Sequence, residues 1–300
     1  MCIISNPVES VSQTKILVGP NKNLDRQITV YSNQVNNVSE SNAMILPVPH
    51  PSTIEFIDLS KYKHLFTDLD KVFYKPQSRF LSKGMNFSLS ANSAKLQVFN
   101  VGSYKVSLAM GLSDLNRVDG SVFNLSSGCY DLLKSSYDST FGFIICKLAK
   151  GLENYHPFAY SHQMIKPGQL FIPTKHYHDH KRGFIYDPNN IDSSPMFSYF
   201  KQPKTNFNQE ADDWSHDIYL YNCTSQQIKL MGMKSHHEYI WDGIDPFVES
   251  KNKINFDFEK LNQLEKYKIE GSHTNTDLIV NYIKKDITKN ILSNSMILGY

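Results

Sequence analysis

The sequence predicts an α+β fold: mainly antiparallel sheet or sandwich, with helices packed on one side and a helical C-terminal extension. Three observations carry this. Short apolar runs recur with turn residues between them, the mark of strands joined by hairpins. Regular strand–helix alternation, which a parallel α/β sheet would show, is missing. Residues 251–300 change character, with apolar residues at helical spacing and lysines opposite them. The division drawn from this is an α+β main domain over 1–250 and a helical extension over 251–300.

The elements follow in order. Thr14 to Val18 and Gln27 to Tyr31 flank a Gly-Pro-Asn-Lys-Asn turn region and read as a hairpin. Asn42 to Pro49 is a third apolar run. Pro47 and Pro49 cannot donate to a ladder, so this strand should end at an edge or a bulge. Ser60 suits the N-cap of a helix whose apolar face is Tyr62, Leu65, Phe66, Leu69, Val72 and Phe73, ended by Pro76. Strands are expected at Leu96 to Asn100 and around Tyr104 to Met110, and short helices from Ser113 and from Ser126 or Ser127. Phe141 to Leu148 reads as a buried central strand. Further strands are expected at Phe158 to Tyr160, Leu170 to His178, Gly183 to Tyr186 and Ile218 to Cys223. Asp187 to Asp213, rich in Pro, Asn and Ser, reads as a long loop. Phe258, Leu261, Leu264 and Tyr267 predict a short helix. Thr276 caps another, with Leu278, Ile279, Tyr282, Ile283, Ile287 and Ile291 on its apolar side.

A chain of 300 residues can bury a sizeable core, and 40% hydrophobic with 12% aromatic residues fits a folded globular protein. Only 20% of residues are charged and the net charge is +2, so solubility rests on neutral polar residues, chiefly Asn and Ser. That balance gives no support for bulk binding to nucleic acid, which needs a basic face. The first residues, Met1-Cys2-Ile3-Ile4-Ser5-Asn6-Pro7, have no basic region or long apolar run, so no secretory signal is read. No stretch reaches the length of a membrane span. The expectation is a cytoplasmic protein with neither membrane nor nucleic acid as partner, leaving a protein partner or self-association. Cys2, Cys129, Cys146 and Cys223 are then expected to be reduced. They lack CxxC spacing, which argues against a cysteine-rich zinc module. The Asn, Lys, Ile, Tyr and Ser skew is that of an AT-rich genome: a protist, a giant virus or an AT-rich bacterium. A viral source would make the virion a second location.

Several stretches resemble a bacterial family known only as a conserved domain of unknown function. The matching residues are Asn6-Pro7-Val8-Glu9, Thr14-Lys15-Ile16-Leu17, Asn42 to Pro49 and Val101-Gly102-Ser103-Tyr104. Phe141 to Leu148 and Leu170-Phe171-Ile172-Pro173-Thr174 follow in the same order. The resemblance covers residues 2–180. It implies an architecture and no chemistry.

The candidate chemistry lies mostly in the histidines. Of 11, eight fall between His156 and His237. His176, His178 and His180 alternate and share a face if the strand persists, and His216 could complete a metal site from a neighbouring strand, with Asp213 or Asp217 nearby. Zinc is the ion such a set implies. The spacing H-x-H-D-H lacks one residue of the metallo-β-lactamase pattern, so that fold is not read. The competing reading is strand-end histidines bonded to loops. His236 and His237 are adjacent and point two ways. Cys2, exposed by removal of Met1, could be an N-terminal nucleophile with its own α-amine as base; against this stands a buried apolar thiol. Cys129, close to a helix N-terminus, could have a lowered pKa. Asp187 to Asp192 lacks the acidic pattern of an EF-hand and reads as a turn. Three functions are therefore carried: a non-catalytic binding or structural component (a virion component for a giant virus), a metal-binding protein or metal-dependent hydrolase on His176 and His178, and an N-terminal-nucleophile amidohydrolase on Cys2.

Overall fold

The structure is a computed structural model that describes residues 3–21, 25–74, 95–153, 155–178, 211–221, 224–225, 235–241 and 264–283. The apolar run at 141–148 forms β8 (Phe141–Lys147), which lies at the centre of a five-stranded sheet. The order is β1 (Ile3–Ile4), β4 (Ala43–Pro49), β8, β7 (Tyr104–Ala109) and β6 (Phe99–Val101). Its pairings are antiparallel.

The two prolines of β4 show how the local rule is met. Backbone groups of alternate residues point to opposite sides of a strand. Ala43 faces β1, since its carbonyl accepts from Ser5 N at 2.9 Å, so Pro47 and Pro49 also face away from β8. β1 pairs only with Met44 and Ile45. Among the described residues the prolines therefore occupy the half of β4 with no strand on that side, where a missing N–H leaves no ladder bond unmade.

The second sheet is larger and mixed. Among the described residues its order is β14 (Ser235–Trp241), β15 (Leu264–Thr274), β12 (Ala211–Tyr221), β2 (Val8–Pro20), β3 (Arg26–Asn37), β10 (Phe158–Gln163) and β5 (Glu55–Ile57), with β9 (Gly151–Glu153) paired to β3. The expected hairpin is present as β2 and β3, with Ile16 opposite Tyr31 and Val18 opposite Thr29. β12 runs parallel to β2. A third sheet joins β11 (Gln169–Ile172), β16 (Leu278–Ile283) and β13 (Thr224–Ser225).

One core lies between the two large sheets. The first sheet supplies Met44, Leu46, Val106, Ile144 and Cys146, the second Ile16, Val18, Tyr31, Phe158, Tyr160, Ile218 and Leu220, and the third Leu170, Ile172, Leu278 and Val280. The outer face of the second sheet is covered by α1 (Leu65–Tyr74) through Leu65, Phe66 and Leu69. The outer face of the first sheet is covered by α2 (Ser127–Ser136) through Cys129, Leu132 and Leu133. Helices thus pack on both outer sides of the sandwich, not on one. The reason is legible afterwards: β4 and β8 are apolar on both faces, and Leu17, Val30 and Tyr219 put apolar side chains on the outer face of the second sheet, so both outer faces need a cover.

The fold is mainly β with few helices, and the expected helical C-terminal extension is corrected. Residues 264–274 and 278–283 are strands, while 284–300 lie outside the described residues. In β16, Leu278 and Val280 are buried while Ile279 and Asn281 are exposed, a period of two. A short β-branched run satisfies helix and strand templates alike, and pairing with β11 decides it. Leu264 and Tyr267 lie in β15, which pairs along β12. The helix expected from Ser60 begins later, at Leu65; the Ser60 N–H instead donates to Asp58 Oδ1 at 2.8 Å. Ser126 caps α2 as expected, accepting from Cys129 N at 3.2 Å. The 113 region is a 3-10 helix, Leu112–Arg117.

The turn between β6 and β7 gives a first testable consequence. Val101 pairs with Tyr104, so Gly102 and Ser103 form a two-residue loop, and Gly102 has φ +58°. A Cβ there would overlap His156 Nε2 and stand 2.8 Å from Asp58 Oδ1. Gly102→Ala is expected to cost about 2–4 kcal/mol, left-handed strain plus overpacking, read as a lowered midpoint in chemical denaturation.

Candidate functional site

The strand expected over Leu170 to His178 ends at Ile172; beyond it, among the described residues, only Tyr177 makes a single β-bridge, to Ile3. His176 is buried and His178 half-buried, with ring centroids 5.9 Å apart and planes tilted by 38°. Tyr177 points the other way, into the cluster beneath α2, and its hydroxyl approaches Gly128 so closely that a Cβ there would overlap it. The segment is held from both sides. Asn275 accepts from His176 N at 2.9 Å and donates to His176 O at 2.8 Å. Ile4 N donates to Tyr177 O at 2.7 Å, and Ile3 bridges Tyr177 in parallel. Burial drives the pKa of His176 down to about 3, so the ring is neutral.

The other candidates fall elsewhere. His216 is buried on β12, opposite Ile269 and Thr14. Among the described residues no group of three His, Cys, Asp or Glu is placed to hold a metal ion. His180, Cys2, Cys223 and the 187–192 turn lie outside the described residues. His236 and His237 are consecutive residues of β14. Cys129 contradicts its expectation. It sits at the third position of α2, but its side chain faces the core and burial pushes the thiol pKa up to about 12. Desolvation outweighs the helix terminus, so this cysteine is no nucleophile at neutral pH. Cys146 is core, as its apolar strand predicts.

Sequence reasoning missed the polar groups that join the layers. Asp70 on α1 accepts from Lys15 Nζ of β2 at 2.5 Å, Tyr219 Oη of β12 at 2.6 Å and Lys266 Nζ of β15 at 3.1 Å. Burial alone would raise its pKa, but the hydrogen bonds from Lys15, Tyr219 and Lys266 together outweigh it and hold the carboxyl below its usual value. Lys266 also lies 3.5 Å from Asp217, whose pKa burial raises. Asp70→Asn removes one carboxylate from the nearly buried Lys266 and loosens the seat of α1. A loss of about 2–3 kcal/mol is expected in the denaturation midpoint.

Asp277, just before β16, accepts from Tyr137 Oη at 2.6 Å and Lys175 N at 2.7 Å, tying the third sheet to α2. Burial raises the pKa of Asp277 and that of Tyr137. His156 Nε2 accepts from Ser103 N at 3.0 Å while Nδ1 faces Pro157 O at 2.8 Å, a pattern that only the neutral ring satisfies. None of these residues has a sequence signature, since each is recognised by partners far away along the chain.

No family model matches the chain, so the resemblance to a bacterial family over residues 2–180 receives no support from that comparison. Among solved structures, the chain is similar to baculovirus P35, at 14% identity and a TM-score of 0.47, over 95% of this chain and 100% of that one. It is also similar to a mutated baculovirus P35 after caspase cleavage, at 11% identity and a TM-score of 0.45, covering 91% of this chain and 100% of that one. A third similar structure is a caspase-8/P35 complex, at 12% identity and a TM-score of 0.43, covering 91% of this chain and 97% of that one. Among the described residues no helix is long and apolar enough to cross a membrane.

Proposed function

We propose that this is a non-catalytic binding protein whose ligand is another protein. The observation that supports the reading is where the buried and half-buried ionisable groups are engaged. Asp70, Asp277 and His156 each hold two segments of the fold together, through Lys15 and Tyr219, through Tyr137 and Lys175, and through Ser103. Groups fixed this way cannot exchange protons with a substrate without loosening the fold. The expected result is no turnover on ester, amide and phosphoester panels, together with a defined complex with a protein partner. Caspase-8, found with P35 in one of the similar structures, is the first partner to assay, by inhibition and by co-elution. Turnover that disappears in Cys2→Ser would favour the amidohydrolase reading, and turnover that disappears in His178→Ala the metal-dependent hydrolase. Either would overturn the binding reading.

A further inference from the structure

We propose that His156 is a proton-operated latch on the β6–β7 turn: the neutral ring holds the turn, and the protonated ring releases it in favour of Asp58. The inference goes beyond the protein-binding reading and does not depend on it. The bonding of the ring is the first support. Nε2 accepts from Ser103 N at 3.0 Å, so Nδ1 carries the proton and donates to Pro157 O at 2.8 Å. A proton taken from solvent onto Nε2 removes the one remaining acceptor and sets N–H against N–H. The turn then loses the bond that fixes its second residue.

The second support is the partner waiting for the charged ring. A Cβ built on Gly102 would overlap His156 Nε2 and stand 2.8 Å from Asp58 Oδ1. Both atoms therefore border one small space, within the roughly 4–6 Å over which an opposite charge favours the charged form. Ser60 N donates to Asp58 Oδ1 at 2.8 Å, which holds the carboxylate in place. Charge reaches the ring from Asp58 and Lys63, both in the link between β5 and α1; Asp58 favours the proton and Lys63 opposes it. From β7, Tyr104 meets the ring edge-on at 5.0 Å, and its hydroxyl donates to His156 O at 2.9 Å. That bond and the one from Nδ1 survive protonation, so the histidine keeps its seat while the turn is let go. Burial outweighs Asp58 and lowers the pKa of the ring. The latch is therefore closed above about pH 6.5 and is lost as pH falls below it.

The test is hydrogen–deuterium exchange of the full chain, read at single amides by magnetic resonance and corrected for the intrinsic effect of pH. Between about pH 7 and about pH 5 the Ser103 amide should lose protection by at least about tenfold. Ile144 and Ile145 of the central strand should keep theirs. His156→Gln carries an amide oxygen that can accept from Ser103 N at any pH, and in this variant the loss should vanish. Asp58→Asn keeps an acceptor for Ser60 N but removes the charge. The titration of His156, followed by its imidazole resonances, should then move to lower pH. Ser103 protection unchanged with pH in the wild-type chain, a loss as large in His156→Gln, or a loss shared equally by Ile144 and Ile145 would overturn the proposal. So would a His156 titration that Asp58→Asn leaves where it was.

Discussion

Gln27→Leu is expected to destabilise the protein by roughly 3–5 kcal/mol, because it strands two backbone groups of another sheet. Gln27 is fully buried on β3. Its Nε2 donates to Phe171 O at 2.5 Å, and Phe171 N donates to its Oε1 at 2.7 Å. The side-chain amide acts as a strand partner for β11 where the third sheet crosses the second. Leucine would fill similar space but leave Phe171 with an unmet donor and an unmet acceptor in the core, each costing about 1–3 kcal/mol. Urea denaturation should show the loss as a lower midpoint at an unchanged slope. Glu40→Gln, an exposed change on the same measurement, should move stability by less than about 0.5 kcal/mol. A midpoint for Gln27→Leu as close to wild type as that control's would show that Phe171 finds other partners.

Stability is also expected to fall steeply as the solution is acidified from pH 6.5 to 4. His162 is fully buried on β10, its Nδ1 lies 2.8 Å from Gln163 O, and its Nε2 has no hydrogen-bond partner among the described residues. Burial lowers its pKa to about 4. In the unfolded chain a histidine titrates near 6.5, so between these values the unfolded state binds more protons. The folded pKa is depressed, so the contribution is complete above about 6.5 and is lost as pH falls towards 4. For His162 it amounts to about 3 kcal/mol. His156, whose pKa burial also lowers, adds in the same direction, because protonation removes the acceptor for Ser103 N. The denaturation midpoint measured across this range should drop, and His162→Leu should flatten the slope whatever it does to the stability at pH 7. An unchanged slope in that variant would place the acid sensitivity elsewhere.

How far these sites could be read in advance depends on the range of the interactions. The neighbouring rings of His176 and His178 were legible because residues two apart lie close in the chain, whereas the end of the strand at Ile172 was not. The cap at Ser126, the central place of Phe141–Lys147 and the β2–β3 hairpin were legible for the same reason, since each follows from neighbours in the chain. Gln27 was not, because a glutamine in a strand carries no sign that a backbone 144 residues away will dock on it. Nor was the fate of Cys129. The rule that a helix terminus lowers a thiol pKa is local, while the burial that overrides it comes from packing against β1 and β8.

By itself the sequence determined a β-rich body, the turn and cap positions, and the clustering of histidines, all of which are set by local periodicity and backbone preference. Only the tertiary structure decided that helices cover both outer faces, that residues 264–274 and 278–283 are strands, and that Asp70, Asp277 and Gln27 join separate layers. Those outcomes depend on which surface each element buries against, and on the need for every buried polar group to find a partner, which may lie anywhere along the chain.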